Sequence, residues 1–370
     1  MKEKLNPTQS EIIDSLRFPV IILVLYAHML PIEGRPIEFN FSGLNIYHYI
    51  SELISHLLGA IPTSFFFFIS GFFFVKGMAQ WDQGSYYMKL KKRVKTLLVP
   101  YLAWIILLVI ITISKSTLIN MIWPGRDMDF SALKQTSLYH IFWGGPLLYP
   151  FWFLRDLICM TLLTPLFYYF GKYTKIYGIL FLMILYLLAI ESGIPGFSTK
   201  AIFYYASGVY IGMNHINLLE MCNKYKRVSV IAALLIMIIA TFFSGTSYHG
   251  HLVRLFCLIG IVALINIFST LLRNQFIKNI LIRLSVTSFF VYALHQIYII
   301  GWLKGAFSRT PWAENPGAMM IAYFIIPCIC ASICVGIYAL LHKIFPSFLA
   351  LLCGGRTHPI LPVKDKQDMR

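Results

Sequence analysis

The stretch Ile12–Leu30, IIDSLRFPVIILVLYAHML, is apolar enough to form a transmembrane helix, yet it carries Asp14, Arg17 and His28. A simple anchor avoids such residues. Arg17 and His28 are separated by 11 positions, about 1100° of helical rotation. That is within roughly 20° of three full turns, so the two share one face about 16 Å apart along the axis. Ionisable groups within a bilayer cost several kcal/mol and face a protein interior or a water-filled cavity. The polar face of this helix is therefore predicted to line a cavity, with a cation near one end and an imidazole deep inside.

The rest of the chain has the same apolar character. Of its 370 residues, 58% are hydrophobic and 12% are charged, against about 25% charged in a soluble domain. Ten apolar stretches are predicted to be membrane spans, at roughly 12–31, 57–77, 97–114, 150–170, 176–190, 200–214, 228–243, 252–272, 284–303 and 317–341. The expected fold is an all-α, polytopic membrane helix bundle of about ten transmembrane helices. The net charge of +16 is not a nucleic-acid footprint, because the basic residues fall in short loops between apolar spans. In a ten-span plan about two thirds of the 31 lysines and arginines lie on one side, including Lys2, Lys4, Lys76, Lys172, Lys224, Arg273 and Lys343. The positive-inside rule then makes both termini cytoplasmic. The seven cysteines suggest no disulfide framework, and Cys328, Cys330 and Cys334 read as small packing residues. Asp14 and Arg17 interrupt the first apolar run and no small-x-small site follows, so it does not read as a cleavable signal peptide.

Further polar signals are scattered among the other spans. PTSFFFFISGFFF (62–74) contains the small pair Ser70 and Gly71, and AIFYYASGVYIGMNH (201–215) contains Ser207, Gly208 and Gly212. Both suggest close helix approach, with substrate contact a second reading for Ser70. The segment WDQGSYYMKLKKRVKTLLVPY (81–101) places Lys89, Lys91, Lys92, Arg93 and Lys95 within seven positions. Such a cluster serves as a topology signal and lipid contact, or as an anion site at the cytoplasmic mouth. PFWFLRDLI (150–158) brings Trp152 to the membrane interface and puts Arg155 beside Asp156. Adjacent residues point about 100° apart, so each of this pair is expected to find a partner on another helix or to line the cavity. In LSVTSFFVYALHQIYIIGW (284–302), Ser288, Tyr292 and His295 form one polar stripe, directed at other helices or at the cavity of His28. His249 and His251 in TSYHGH read as a solvated pair. No third ligand is adjacent, so no metal site is expected.

Taken together, several stretches resemble the membrane-bound acyltransferase 3 family. They are IDSLRFPVIILVLYAH with Arg17 and His28, FFFISGFFF, the basic run into LLVPY, PFWFLRDLI and SFFVYALH. The resemblance covers nearly the whole chain. It implies one integral-membrane acyltransferase domain over roughly 1–355 with a short basic cytoplasmic tail at 356–370, in the inner membrane of a bacterium. It also implies O-acyl transfer, usually of acetyl from acetyl-CoA, to a hydroxyl of a sugar or glycan. Members often carry paired basic residues spaced by two before the third span. Here the cluster offers Lys92 with Lys95, or Arg93 with Thr96 standing where a second arginine is expected.

The expected mechanism follows from both lines of reasoning. The 89–95 cluster holds the phosphates of acyl-CoA, Arg17 binds or orients the donor, and His28 acts at the thioester. An imidazole with an ordinary pKa of about 6.5 suits removal of a hydroxyl proton; alternatively His28 itself accepts the acyl group. Arg155, Tyr292 and His295 are candidate oxyanion stabilisers. The expected partners are acyl-CoA, a sugar or glycan acceptor and membrane lipid, with no nucleic acid, no metal and no resident cofactor. The rival readings are a proton-coupled secondary transporter of a small solute and a carrier for lipid-linked glycans that performs no chemistry.

Overall fold

The computed structural model describes residues 8–29, 41–78, 80–125 and 133–357. The expectations for Lys2, Lys4, Leu30 and the tail from 358 onward lie outside these residues. The described chain is helical, and all ten predicted apolar stretches fall on helix: α1 Gln9–Ala27, α2 Gly43–Val75, α3 Gln83–Ile122, α4 Trp152–Leu162, α5 Thr164–Leu187, α6 Thr199–Met213, α7 Leu218–Lys224, α8 Lys226–Phe242, α9 His249–Leu271, α10 Gln275–Ser285, α11 Ser288–Ser308, α12 Pro316–Ile344 and α13 Pro346–Leu352.

By length and apolarity, five of these helices are able to cross a membrane: α2, α3, α5, α9 and α12. The number is seven if the bent pairs α7–α8 (71°) and α10–α11 (51°) each count as one span. The predicted ten is a larger number for identifiable reasons. The helix α1 carries Glu11, Asp14 and Arg17, too many charges to qualify by composition alone. Two predicted stretches, 150–170 and 176–190, become α4 and one long α5. A single non-helical residue, Lys175 at φ 53°, stands where a loop was expected.

The helix α1 lies inside the bundle and packs against α2, α9, α10, α11 and α12. Its start is well specified. Thr8 caps the Glu11 amide and Glu11 reaches back to the Thr8 amide, a reciprocal capping box. Lys278 of α10 then pairs with Glu11 at 2.5 Å. Leu16, Val20 and Leu25 are fully buried on its apolar side.

The two small-residue signals are the two halves of one interface. α2 and α6 pack so closely that a Cβ on Gly208 would collide with the Phe68 carbonyl and lie 2.8 Å from the Phe72 amide; one on Gly212 would lie 2.7 Å from the Phe72 carbonyl. In lipid, where water gives no drive to pair helices, such backbone approach supplies the van der Waals contact that holds them. Gly208→Val is expected to lower the thermal unfolding midpoint in detergent, since overpacking costs about 1–3 kcal/mol. Gly336→Val, at a position with no atom within 4 Å, should leave the midpoint nearly unchanged. Equal midpoints for the two variants would contradict the interface.

Candidate active site

α1 carries Arg17 in its N-terminal half and His28 at its C-cap, and each end collects different chemistry. At the N-terminal half, Arg17 pairs with Asp14 one turn back at 3.0 Å, with both side chains still partly exposed. Two further guanidiniums come within electrostatic reach of Arg17. One is Arg93, the last residue before the π-helical turn Val94–Leu98 in α3. The other is Arg356, just beyond α13. The approach of Arg356 depends on a Gly-Gly turn. Gly354 sits at φ +63° with its α-carbon face against Thr96 and the Lys95 carbonyl, where a side chain would collide. Arg356 then donates to the Thr96 carbonyl at 2.7 Å and to the Cys353 carbonyl at 3.2 Å, and lies 5.0 Å from the Phe289 ring. The residue keeps solvent contact although protein atoms crowd its guanidinium. That crowding, with repulsion from Arg17 and Arg93, pushes its pKa down to about 10. Three like charges held together at a wet cleft are stabilised by a bound anion.

Of the five basic residues in the 89–95 cluster, Arg93 joins this group, with Lys89 one turn back on the same face and within its electrostatic reach. The helical period turns the other three to other directions round α3. Lys91, Lys92 and Lys95 are exposed, and Lys89 donates to the Phe74 carbonyl at 2.5 Å, capping the end of α2. Arg356 had been assigned to the basic tail. No local pattern marks it, because Thr96, Arg93 and Arg17 lie more than 250 residues away along the chain.

At the other end of α1, His28 is the C-cap. Its amide donates to the Leu25 carbonyl at 3.1 Å, and its carbonyl accepts from Lys304 Nζ at 2.8 Å. The His28 ring faces His295, with centroids 5.1 Å apart. His295 is completely buried. Its Nδ1 lies 3.2 Å from the Val291 carbonyl, so Nδ1 donates and Nε2 carries the lone pair of the neutral ring. That Nε2 is buried and has no hydrogen-bond partner. His295 opens a π-helical turn, His295–Ile299, in which Tyr298 has φ +61°. Such turns inside helices often occur at functional sites. Tyr298 is held by Thr112 at 3.1 Å, and Lys115 lies over its ring at 4.6 Å.

The remaining predicted residues divide. Tyr292 lies on the His295 stripe with the rings 6.3 Å apart, but its hydroxyl donates to the Pro150 carbonyl at 2.5 Å and its ring stacks on Phe151. Ser288 and Ser70 are buried with unpartnered hydroxyls, Ser70 beside Gly71 in the α2–α6 interface. Trp152 is half-buried, edge-on to Phe153.

Arg155 and Asp156 correct the sequence reading, because they do pair with each other. The long arginine folds back, and Nε and Nη2 both donate to Asp156 Oδ1, at 3.1 and 2.9 Å. Arg155 Nη1 also donates to the Trp143 and Gly144 carbonyls, and Asp156 Oδ2 accepts from the Ser198 amide. Asp156 is fully buried. The pair is a brace between the 140–144 turn, α4 and the start of α6. A surface groove of about 850 Å³ lined by Lys226, Asn266, Arg273 and Asn274 contains none of the residues of either end of α1.

A bundle with several helices able to cross a membrane, an arginine cluster at one end of a packed helix and two facing histidines at the other is that of a multi-pass membrane protein with a polar group at each end of one helix. The family comparison agrees: residues 11–354 match the acyltransferase domain of the acyltransferase 3 family, and the chain belongs to it. It is also similar to the succinoglycan biosynthesis protein ExoH of Rhizobium meliloti (strain 1021), 26% identical over 301 residues that cover 78% of this chain and 77% of that protein. No solved structure matches the chain.

Breaking a buried ion pair from one side costs about 3–5 kcal/mol, because the other charge stays buried. Arg155→Met is therefore expected to lower the unfolding midpoint sharply, and Arg155→Met combined with Asp156→Leu should recover most of the loss. A single variant that melts with the wild type would contradict the brace.

Proposed function

We propose that this chain is an integral-membrane O-acyltransferase that moves a short acyl group, acetyl or similar, from acyl-CoA to a hydroxyl of a cell-surface carbohydrate or its lipid-linked precursor. Family membership supports acyl transfer. The relative's name, succinoglycan biosynthesis, supports a polysaccharide acceptor. The observation that carries the donor assignment is the convergence of Arg17, Arg93 and Arg356 on one end of α1, while His28 and His295 face each other at the other.

In this reading the CoA phosphates are held by the arginines through charge-assisted hydrogen bonds. The flexible arm of CoA then runs along α1 and brings the thioester to His28. His28 takes the proton of the acceptor hydroxyl as general base, or accepts the acyl group and passes it on. His295 is the positioning partner. Its Nδ1 is committed to the Val291 carbonyl, so its Nε2 presents a fixed acceptor. Lys304, bound to the His28 carbonyl, places a cation near the reacting centre. The single acyltransferase domain would lie in the cytoplasmic membrane of a bacterium with both termini inside. Ten crossings would then include α1, α4 and α6, whose shorter or more polar sequences are tolerated because they are enclosed by other helices. The transporter reading requires two halves with matching broken helices, and the acyltransferase match over residues 11–354 favours chemistry instead.

Membranes carrying the chain should transfer label from radiolabelled acetyl-CoA or succinyl-CoA into a glycan fraction. His28→Ala is expected to lose at least about 100-fold in kcat. Arg93→Ala and Arg356→Ala should instead act mainly on KM for the acyl donor, with a dependence on ionic strength. Transfer unchanged by His28→Ala at equal expression would remove His28 from the chemistry. Label retained on the washed protein would identify the covalent route.

A further inference from the structure

Near the His28 end of α1, a second group of side chains converges outside the site described above. The π-helical turn Glu52–Leu57 in α2 presents Glu52 and His56 on one side, at i and i+4. The α8–α9 hairpin brings in His249, the first residue of α9. His56 Nδ1 contacts Glu52 Oε2, and His249 Nε2 lies 2.9 Å from Glu52 Oε1. The two imidazole rings are 6.2 Å apart at 71°. One ligand atom from each of the three residues lies within 4.8 Å of the others. Ser55, on the same turn, donates to the Tyr26 carbonyl at 2.6 Å, which ties the group to the end of α1.

We propose that Glu52, His56 and His249 form a binding site for a first-row divalent metal ion of the zinc class. The proposal does not depend on the acyl-transfer reading. Three observations carry it. First, His249 Nδ1 lies 3.0 Å from the Ala240 carbonyl. A carbonyl only accepts, so Nδ1 holds a proton and Nε2 is the ring atom turned towards Glu52. This carbonyl-to-imidazole contact is the outer-shell arrangement that fixes metal-binding histidines. Second, Glu52 is 6% exposed and turns one carboxylate oxygen to each imidazole, Oε1 to His249 and Oε2 to His56. A divalent cation held by all three would take the place of the protons in these contacts. Third, the donor set is right for the ion. Two imidazoles and one carboxylate suit zinc and its neighbours, whereas calcium and magnesium prefer all-oxygen sites.

With metal–ligand distances near 2.1 Å, tetrahedral ligand atoms lie about 3.4 Å apart. The three donors therefore draw together by an ångström or so on binding, which two half-exposed histidines permit. Three protein ligands leave a coordination position for water or a substrate oxygen, the pattern of catalytic rather than closed structural sites. The ion would also cross-link α2 to the α8–α9 hairpin. His251, two residues on, is not a member: its Nδ1 bonds the Leu187 carbonyl. The sequence reading of a solvated pair does not hold for His249, because its partners Glu52 and His56 come from nearly 200 residues earlier.

The test uses tag-free, chelator-stripped full-length protein in detergent, titrated with Co²⁺ and with Zn²⁺ against a chromophoric chelator. One equivalent should bind, with the intense visible absorption of a four- or five-coordinate Co²⁺ site. Zn²⁺ should raise the unfolding midpoint in proportion to the logarithm of its concentration. Glu52→Gln, which preserves shape, and His249→Ala should each weaken binding at least 10-fold, while His251→Ala should leave it unchanged. A Co²⁺ spectrum without these bands, stoichiometric binding unaffected by both variants, or no binding at all would overturn the proposal. Because the wild-type spectrum is read directly, a variant that fails to fold does not remove the test.

Discussion

A charged or ionisable side chain in hydrocarbon costs several kcal/mol unless protein surrounds it, and α1 carries Asp14, Arg17 and His28. This constraint explains why α1 is enclosed by five other elements. It also explains why the groups around its polar positions are themselves charged or hydrogen-bonding: Asp14 and Arg17 pair with each other, Lys304 serves the carbonyl of His28, and His295 faces its ring. Several apolar helices form the outside, whereas the Phe-rich part of α2 is buried. On α3, α5 and α8 many large aliphatic and aromatic residues remain exposed, such as Ile106, Phe181 and Ile231, which suits contact with lipid.

The bundle closes round α1 by two physical means. Where no polar work is needed, glycines let backbones touch, as at Gly208 and Gly212 against α2. The buried charges of α4 are matched. Arg155, Asp156 and the carbonyls of Trp143 and Gly144 form one saturated network. Against that background the exceptions carry meaning. The unpartnered Nε2 of His295 and the carboxylate of Glu52 between two imidazoles lie where π-helical turns interrupt regular helix, in α11 and α2. Buried polar atoms without partners cost stability, and a folded chain keeps them where a ligand or a reacting group completes the bonding.

The arginine end shows how a binding surface is assembled from distant pieces. Arg17 belongs to the first helix, Arg93 to the third, and Arg356 to the turn after the last. Their mutual repulsion opposes the folded arrangement by itself. It is offset by the hydrogen bonds of Arg356 to Thr96 and Cys353 and by its stacking on Phe289, and an anion would relieve it further.

The sequence alone determined much of this protein. Apolar composition required an all-helical membrane bundle, helical periodicity placed Arg17 and His28 on one face, and small residues marked the α2–α6 contact. These are legible because each depends on neighbours within a few turns of the same helix. The tertiary structure decided the rest. It selected Arg93 from five adjacent basic residues, brought Arg356 beside Arg17, set His295 against His28, folded Arg155 onto Asp156 and carried Glu52 to His249. Each of those contacts joins side chains whose direction depends on helix rotation and packing, and no local pattern encodes either one.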